Sequence, residues 1–257
     1  MIQAIGAASS RRLRLYNLGA GLLHTVQAAS VLAFADAFSL PVRASYMTGP
    51  PGPGVGTRTV TLFDIRFAWA IAAFFGLSAL AHFVIAWPAW PSYLAQLARH
   101  RNPYRWLEYS VSASIMIVLI AMLSGIDNIA ALIALVGVNA AMIGFGWLQE
   151  LYESPGGSLR PFWLGSLAGA VPWLAIGVYL VGPGTALHPP AFVYAIFVSL
   201  FVAFNCFAVN QWLQYRRVGR WREYLVGERV YITLSLVAKS LLAWQIFASA
   251  LASAGAH

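Results

Sequence analysis

The sequence predicts an all-α membrane protein, a bundle of seven transmembrane helices, and three observations carry that prediction. Of the 257 residues, 60% are hydrophobic and only 9% are charged, whereas a soluble domain carries about 25% charged residues. Seven windows contain the roughly 20 consecutive, mostly apolar residues that a bilayer core requires: 15–38, 67–87, 106–124, 127–149, 162–182, 190–213 and 230–252. None of the seven presents the polar face that a helix of a soluble protein turns to water. Together they occupy most of residues 1–257 and leave one bundle without a second domain.

Taken in order, the first window follows Arg11, Arg12 and Arg14 and ends near Ala33-Phe34-Ala35, a pattern that imitates a secretory signal. The apolar run is longer than a usual signal core and contains His24 and Gln27, so a retained first span is expected. Between the first two windows lies the one long loop, residues 39–66. Its runs Arg43–Met47 and Thr57–Phe63 are rich in Thr, Val, Tyr and Phe, and GPPGPGVG separates them, which predicts a small β-hairpin. The other loops are short, so successive helices are antiparallel neighbours. Ser154-Pro155-Gly156-Gly157 is turn material after the fourth span, and Arg216 to Arg229 reads as a basic, partly amphipathic connector. Gly165 and Gly169, four apart in the fifth span, permit close helix approach, either within the bundle or between copies. Cys206, the single cysteine, lies in the sixth span and can form no internal disulfide.

The net charge of +8 sits on arginines in short loops rather than in a nucleic-acid-binding patch. With the N-terminus inside, twelve arginines fall on inner segments (11, 12, 14, 99, 101, 105, 160, 216, 217, 220, 222 and 229) and three on outer ones (43, 58 and 66). The positive-inside rule then makes the N-terminus cytoplasmic, the hairpin extracellular and the C-terminal Ala-Gly-Ala-His extracellular.

Against this background one residue is out of place. Lys239 is the only lysine, and it lies in the middle of the seventh window. Counted from Arg229 it is about 15 Å deep at 1.5 Å per residue, half of a core about 30 Å thick. A cation there costs roughly 2.5–3.5 kcal/mol. A guanidinium stays protonated and is a poor nucleophile, whereas a buried amine can lose its proton and condense with an aldehyde; a purely structural Lys–carboxylate pair is the other reading. Glu108 in the third span is the best counter-charge, at a matching depth of nine residues from Arg99; its own alternative is an interfacial pair with Arg105. The remaining acids fall at span ends or in loops. Ser235 precedes Lys239 by four residues, and Ser112 follows Glu108 by four, so each shares a helix face with its charge. His24, Gln27, Ser78 and His82 are further polar residues of the first two spans. They suggest a hydrated cavity toward the cytoplasmic side, with satisfied core histidines or a metal site as alternatives; no cysteine or carboxylate motif supports the metal.

Seven spans, a lone lysine in the last and a carboxylate in the third resemble a retinylidene protein. Within that group the chain resembles the heliorhodopsins, through its cytoplasmic N-terminus, the long outer loop after span one, and the segments NPYRWLEYSVSASIMIVLIA, FGWLQE, VPWLAIG and LSLVAKS. The resemblance covers essentially the whole chain. It implies all-trans-retinal bound covalently as a Schiff base to Lys239, with Glu108 as counterion and Ser235 and Ser112 beside them. It further implies that Met142, Trp173 and Phe207 line the chromophore pocket and that His24, His82, Ser78, Gln27 and Arg105 belong to an inner polar cavity. Ion-pumping microbial rhodopsins carry a second carboxylate four residues before the lysine and a donor carboxylate eleven residues after the counterion. Here those positions hold Ser235 and Leu119, and the W-x-x-Y-P run of their sixth helix is missing from 190–213. The expected function is therefore light sensing in the cell membrane, without pumping or enzymatic activity. The output is a slow conformational change, and the expected partners are the lipid bilayer, a second copy of the chain and a cytoplasmic signalling protein, with no nucleic acid. A small transporter or channel gated by the Lys239–Glu108 pair, and a membrane scaffold, are the rival readings.

Overall fold

The computed structural model describes residues 5–35, 37–182 and 189–254. Asp36, the loop 183–188 between the fifth and sixth spans, and the end of the expected extracellular C-terminus lie outside them. The described chain runs α1 (Ala7–Ala33), β1 (Ser39–Met47), β2 (Thr57–Arg66), α2 (Phe67–Ala86), α3 (Trp90–Leu97) and α4 (Pro103–Leu123). It continues through α5 (Ile129–Tyr152), α6 (Arg160–Val181), α7 (Ala191–Tyr215), a 3-10 turn (Gly219–Arg222) and α8 (Tyr224–Ala254). All but α1 among the seven long helices are apolar enough by length and composition to cross a membrane. The exception is built from the same pattern but interrupted by Asn17, His24 and Gln27.

The helices match the seven windows with three instructive differences. The first span ends at Ala33, not at residue 38, because the chain must turn before entering β1. The last helix begins at Tyr224, so much of the expected connector Arg216–Arg229 is helical; the break is confined to residues 216–223, where Arg217 and Gly219 take positive φ. Between α2 and α4 the loop contains α3, which has Pro91 in its first turn and buries Tyr93 and Leu97. Its eight residues are too short to stand out as a span, yet they place a tyrosine hydroxyl beneath the bundle.

The expected hairpin is present. Strands β1 and β2 pair antiparallel from Ser39↔Arg66 to Met47↔Thr57, with a bulge at Val42/Arg43. The bulge turns Arg43 toward the start of α5, where its N–H donates to the Asp127 carbonyl (2.9 Å) and its Nη1 pairs with Asp127 Oδ2 at 2.7 Å. Val42 is fully buried beneath it, so an anchored face and a free face share one small sheet.

Below the hairpin, Phe67, Ile71, Phe74 and Phe75 of α2 pack with Ile117 and Ile120 of α4, Ile176 of α6 and Leu242 of α8. Gly165 and Gly169 of α6 serve the inside of the bundle. A Cβ at Gly165 would lie 2.9 Å from Phe145 Cβ, and one at Gly169 would lie 2.5 Å from Met142 Sδ. Both glycines therefore let α6 close on α5 of the same chain. The outward faces carry Leu167, Leu174 and Ile133, among other large apolar side chains, as a lipid solvent requires.

Candidate functional site

Two helices bring the buried charges together. Asn102 caps α4, its Oδ1 accepting the Arg105 N–H at 3.1 Å, and Pro103 opens the helix where its missing N–H costs nothing. Glu108 follows on the inward face. From α8, Lys239 reaches back one turn: its Nζ donates to Ser235 Oγ at 2.7 Å and stands 3.3 Å from Glu108 Oε1. From α2, the Ser78 hydroxyl donates to the same Oε1 at 2.6 Å. Lys239 and Glu108 are 3% and 9% exposed, so each is the main compensation for the other's desolvation. The Tyr109 ring lies 5.2 Å from Nζ and adds a cation–π contact.

Lys239 also faces a cavity of about 270 Å³ between α4, α5, α6, α7 and α8. Ser112, Ser235 and Lys239 border it, and Met142, Trp173 and Phe207 line it together with Phe201 and Phe204. Trp173 is held edge-on by Phe197, Phe201 and Phe204, at centroid distances of 5.5, 5.4 and 5.4 Å. Phe207 stands perpendicular to Tyr109 at 5.4 Å. The Ser112 hydroxyl is buried and has no hydrogen-bond partner among the described residues. Gly146 supplies room on the α5 side, since a Cβ there would meet the Trp106 ring at 2.6 Å.

The first two spans contribute a polar layer beside the pair. His24 and His82 stack with centroids 5.6 Å apart. His82 Nδ1–H donates to Asn17 Oδ1 at 2.9 Å, and Asn17 Nδ2 donates to the Leu13 carbonyl at 3.0 Å. Neither ring nitrogen of His24 has a partner among the described residues. Gln27 stands apart from this layer. It is half-buried and accepts from Trp244 Nε1 at 3.2 Å across the α1–α8 seam.

Arg105 does not pair with Glu108. Its guanidinium is clamped by Glu150 of α5 and Glu228 of α8 and lies over the rings of Trp106 (4.7 Å) and Tyr231 (3.9 Å). Glu150 also accepts from Trp106 Nε1 (2.7 Å), the Asn102 N–H (2.9 Å) and the Tyr224 hydroxyl (3.2 Å). Glu228 accepts from Asn102 Nδ2 (2.7 Å) and the Tyr93 hydroxyl (3.0 Å). Sequence reasoning assigned both acids to span ends or loops and missed this cluster. Their position at the same membrane level as Arg105, which opens the third span six residues after Arg99, was the available signal.

A lysine in the last of seven spans, ion-paired to a carboxylate from the third and set at the edge of an aromatic cavity, is the arrangement of a retinal-binding rhodopsin. The family model for heliorhodopsin matches residues 13–251, nearly the whole sequence, and the chain belongs to that family. Membership implies a retinal chromophore bound to a lysine in a multi-pass membrane protein. No curated protein matches the sequence.

Proposed function

We propose that this protein is a light-sensing photoreceptor in which all-trans-retinal is linked to Lys239, Glu108 is the counterion, and no ion is pumped. The observation that carries the reading is the 3.3 Å approach of Lys239 Nζ to Glu108 Oε1 at the edge of the 270 Å³ cavity. The residues present fit the group. The cavity is near the lower end of the roughly 300–1,000 Å³ range of ligand sites, apolar along its length, with the amine at its border and the unpartnered Ser112 hydroxyl beside it. Retinal supplies an aldehyde for condensation with the amine, water leaving, and a polyene that changes shape on absorbing light.

The chain's own residues do the rest. Glu108 holds a positive charge at Nζ by its proximity, and Ser78 and Ser235 keep the two groups aligned. Trp173 and its three phenylalanine neighbours confine what occupies the cavity, so a change of shape there presses on α6 and α7. The position one turn before the lysine is Ser235, and Leu119 is fully buried among apolar side chains. Neither can relay a proton as a carboxyl group would, which supports sensing by a slow conformational change over pumping. The arginine count supports a cytoplasmic N-terminus, an extracellular hairpin and a signalling partner on the arginine-rich side. A second copy would dock through the hairpin with α5 and α6. Gly165 and Gly169 are already covered by the chain's own α5, so that contact rests on other residues.

Adding all-trans-retinal to the purified protein tests the reading. A visible absorption band is expected, and borohydride reduction followed by peptide mapping places the label on the peptide containing Lys239. Absence of colour would favour a transporter or scaffold, and label on a peptide without Lys239 would overturn the assignment. Illuminated cells in a lightly buffered suspension are expected to show no sustained, protonophore-sensitive pH change.

A further inference from the structure

The Arg105 cluster carries one guanidinium against two carboxylates, and so holds one negative charge in excess inside the protein. Arg105, Glu150 and Glu228 are 5%, 4% and 1% exposed. A buried surplus charge of this kind is costly unless a proton or hydrogen bonds answer it. The two acids are answered differently. Glu150 takes four donors, two on each oxygen, one of them the Tyr224 hydroxyl. Glu228 takes three, Asn102 and Tyr93 on Oε1 and only Arg105 on Oε2. A carboxylate has about four acceptor sites, so Glu228 keeps one on Oε2 that a proton can take without displacing a donor.

Glu228 also borders a second cavity that Glu150 does not. This cavity is about 30 Å³ and is lined by Ser78, His82 and Glu108 on one side and by Asn102, Arg105 and Glu228 on the other. One water needs about 10–15 Å³ of such space and two to four polar partners, and both requirements are met. The pocket thus joins the Lys239–Glu108–Ser78 contact to the charge-surplus cluster.

Resting on the photoreceptor reading above, we propose that Glu228 is the internal proton acceptor of the photoreaction, loaded through this cavity and backed by Arg105 and Glu150. A proton leaves Nζ of Lys239, which goes from +1 to neutral, and arrives at Glu228, which goes from −1 to neutral. The cluster loses its surplus charge at the moment the Lys239–Glu108 pair becomes unbalanced. The charged and titratable groups that face Glu228 are Arg105 from α4, Tyr93 from α3 and Glu150 from α5; His82 from α2 and Tyr104, Glu108 and Tyr109 from α4 line the shared cavity, and Tyr224 and Tyr231 lie near it on its own helix.

Infrared spectroscopy of the full chain tests this with and without retinal. In the retinal-free protein, a pH titration should show one buried carboxyl step that Glu228→Gln removes and Glu108→Gln leaves in place. In the retinal-loaded protein, the light-minus-dark spectrum should show a carboxylic acid band that Glu228→Gln abolishes, with proton departure from Lys239 slowed by about a hundredfold, the scale of a lost acid–base group. Tyr93→Phe keeps both carboxylates but removes a hydrogen bond that favours the charged form of Glu228, so it should change the rate of the same step; it serves if Glu228→Gln fails to fold. A titration step and light-induced band that persist unchanged in Glu228→Gln, or unchanged proton kinetics in Tyr93→Phe, would overturn the proposal. A protein that stays colourless with retinal would instead overturn the photoreceptor reading, and the retinal-free titration would still decide the role of Glu228.

Discussion

The bundle buries two cations, and they are treated in opposite ways. Arg105 is firmly clamped: two carboxylates hold its ends, two aromatic rings cover its faces, and its partners are themselves tied by further donors, although its Nε has no partner among the described residues. Lys239 is lightly held, by one carboxylate at 3.3 Å and one hydroxyl, and it borders a large cavity. The difference follows from side-chain chemistry. A guanidinium offers a rigid fork of donors and keeps its charge, which suits a fixed joint between α4, α5 and α8. An amine on a flexible stem can shed its proton and react. The arginine cluster makes a frame at one membrane level so that the lysine, about three turns farther along α8 from Glu228, stays open to the cavity and its chemistry.

The largest expected effect lies in the reactive half of this contrast. Lys239→Arg keeps a cation opposite Glu108 and should fold, yet it should give no visible band with retinal, because a guanidinium forms no such linkage. A coloured Lys239→Arg protein would place the reactive amine elsewhere, although the sequence has no other lysine.

Stability should show the reverse ranking. Arg105→Met leaves two buried carboxylates without their common partner, a change that typically costs about 3–5 kcal/mol. Lys239→Met leaves Glu108 with its 2.6 Å hydrogen bond from Ser78 and should cost less, about 1–3 kcal/mol for one underpaired buried group. Thermal unfolding of the retinal-free variants in detergent gives the comparison directly. A Lys239→Met protein less stable than Arg105→Met would break the division into frame and reactive site.

How much of this was legible in the sequence follows from what a lipid solvent does to a pattern. The spans, the hairpin and the pairing of Lys239 with Glu108 were readable because a charge in an apolar run is costly and must be matched at the same depth. The direction in which each helix faces was not. Lipid tails and the protein core are equally apolar, so Leu174 facing outward and Ile176 facing inward look alike in one dimension. Glu150 and Glu228 do lie near span ends, as the sequence indicated, but their burial was hidden for a related reason. Near the ends of spans an acid is equally at home in headgroup water or folded inward on an arginine, and only the three-dimensional meeting of α4, α5 and α8 decides. The same limit put Gln27 with His24: the two share a side of α1, yet Gln27 bonds to Trp244 across the α1–α8 seam.

A smaller effect sharpens the account of the loosely held pair. Glu108→Gln removes the opposite charge from Nζ and leaves the burial. An opposite charge nearby favours the protonated form, and burial disfavours it. The retinal-loaded variant should therefore show a smaller visible fraction at neutral pH, and that fraction should absorb at longer wavelength than the unsubstituted protein. Absorbance titration reads both. An unchanged visible fraction would mean that another group supplies the counter-charge, and among the described residues the nearest candidates would be the carboxylates of the Arg105 cluster.

The mildest expected effect concerns His24 and His82, which lie beside the pair without touching it. Lys239 Nζ bonds to Ser235 and approaches Glu108, and neither histidine is among the hydrogen-bond partners of these groups. His82 is bonded through Asn17, and it borders the small cavity that His24 backs by stacking. Their loss should spare binding, so His24→Ala and His82→Ala should keep the visible band. His82 presents a ring to the cavity that both Glu108 and Glu228 border, and an imidazole has a donor and an acceptor nitrogen through which a proton can pass. The His82→Ala variant should therefore alter the rise or decay of the deprotonated state in flash photolysis. His24→Ala should do so more weakly, since its ring reaches the cavity only through its neighbour. Unsubstituted kinetics in the double variant would assign both rings to packing, and the proton would then travel between the two ionic centres without them.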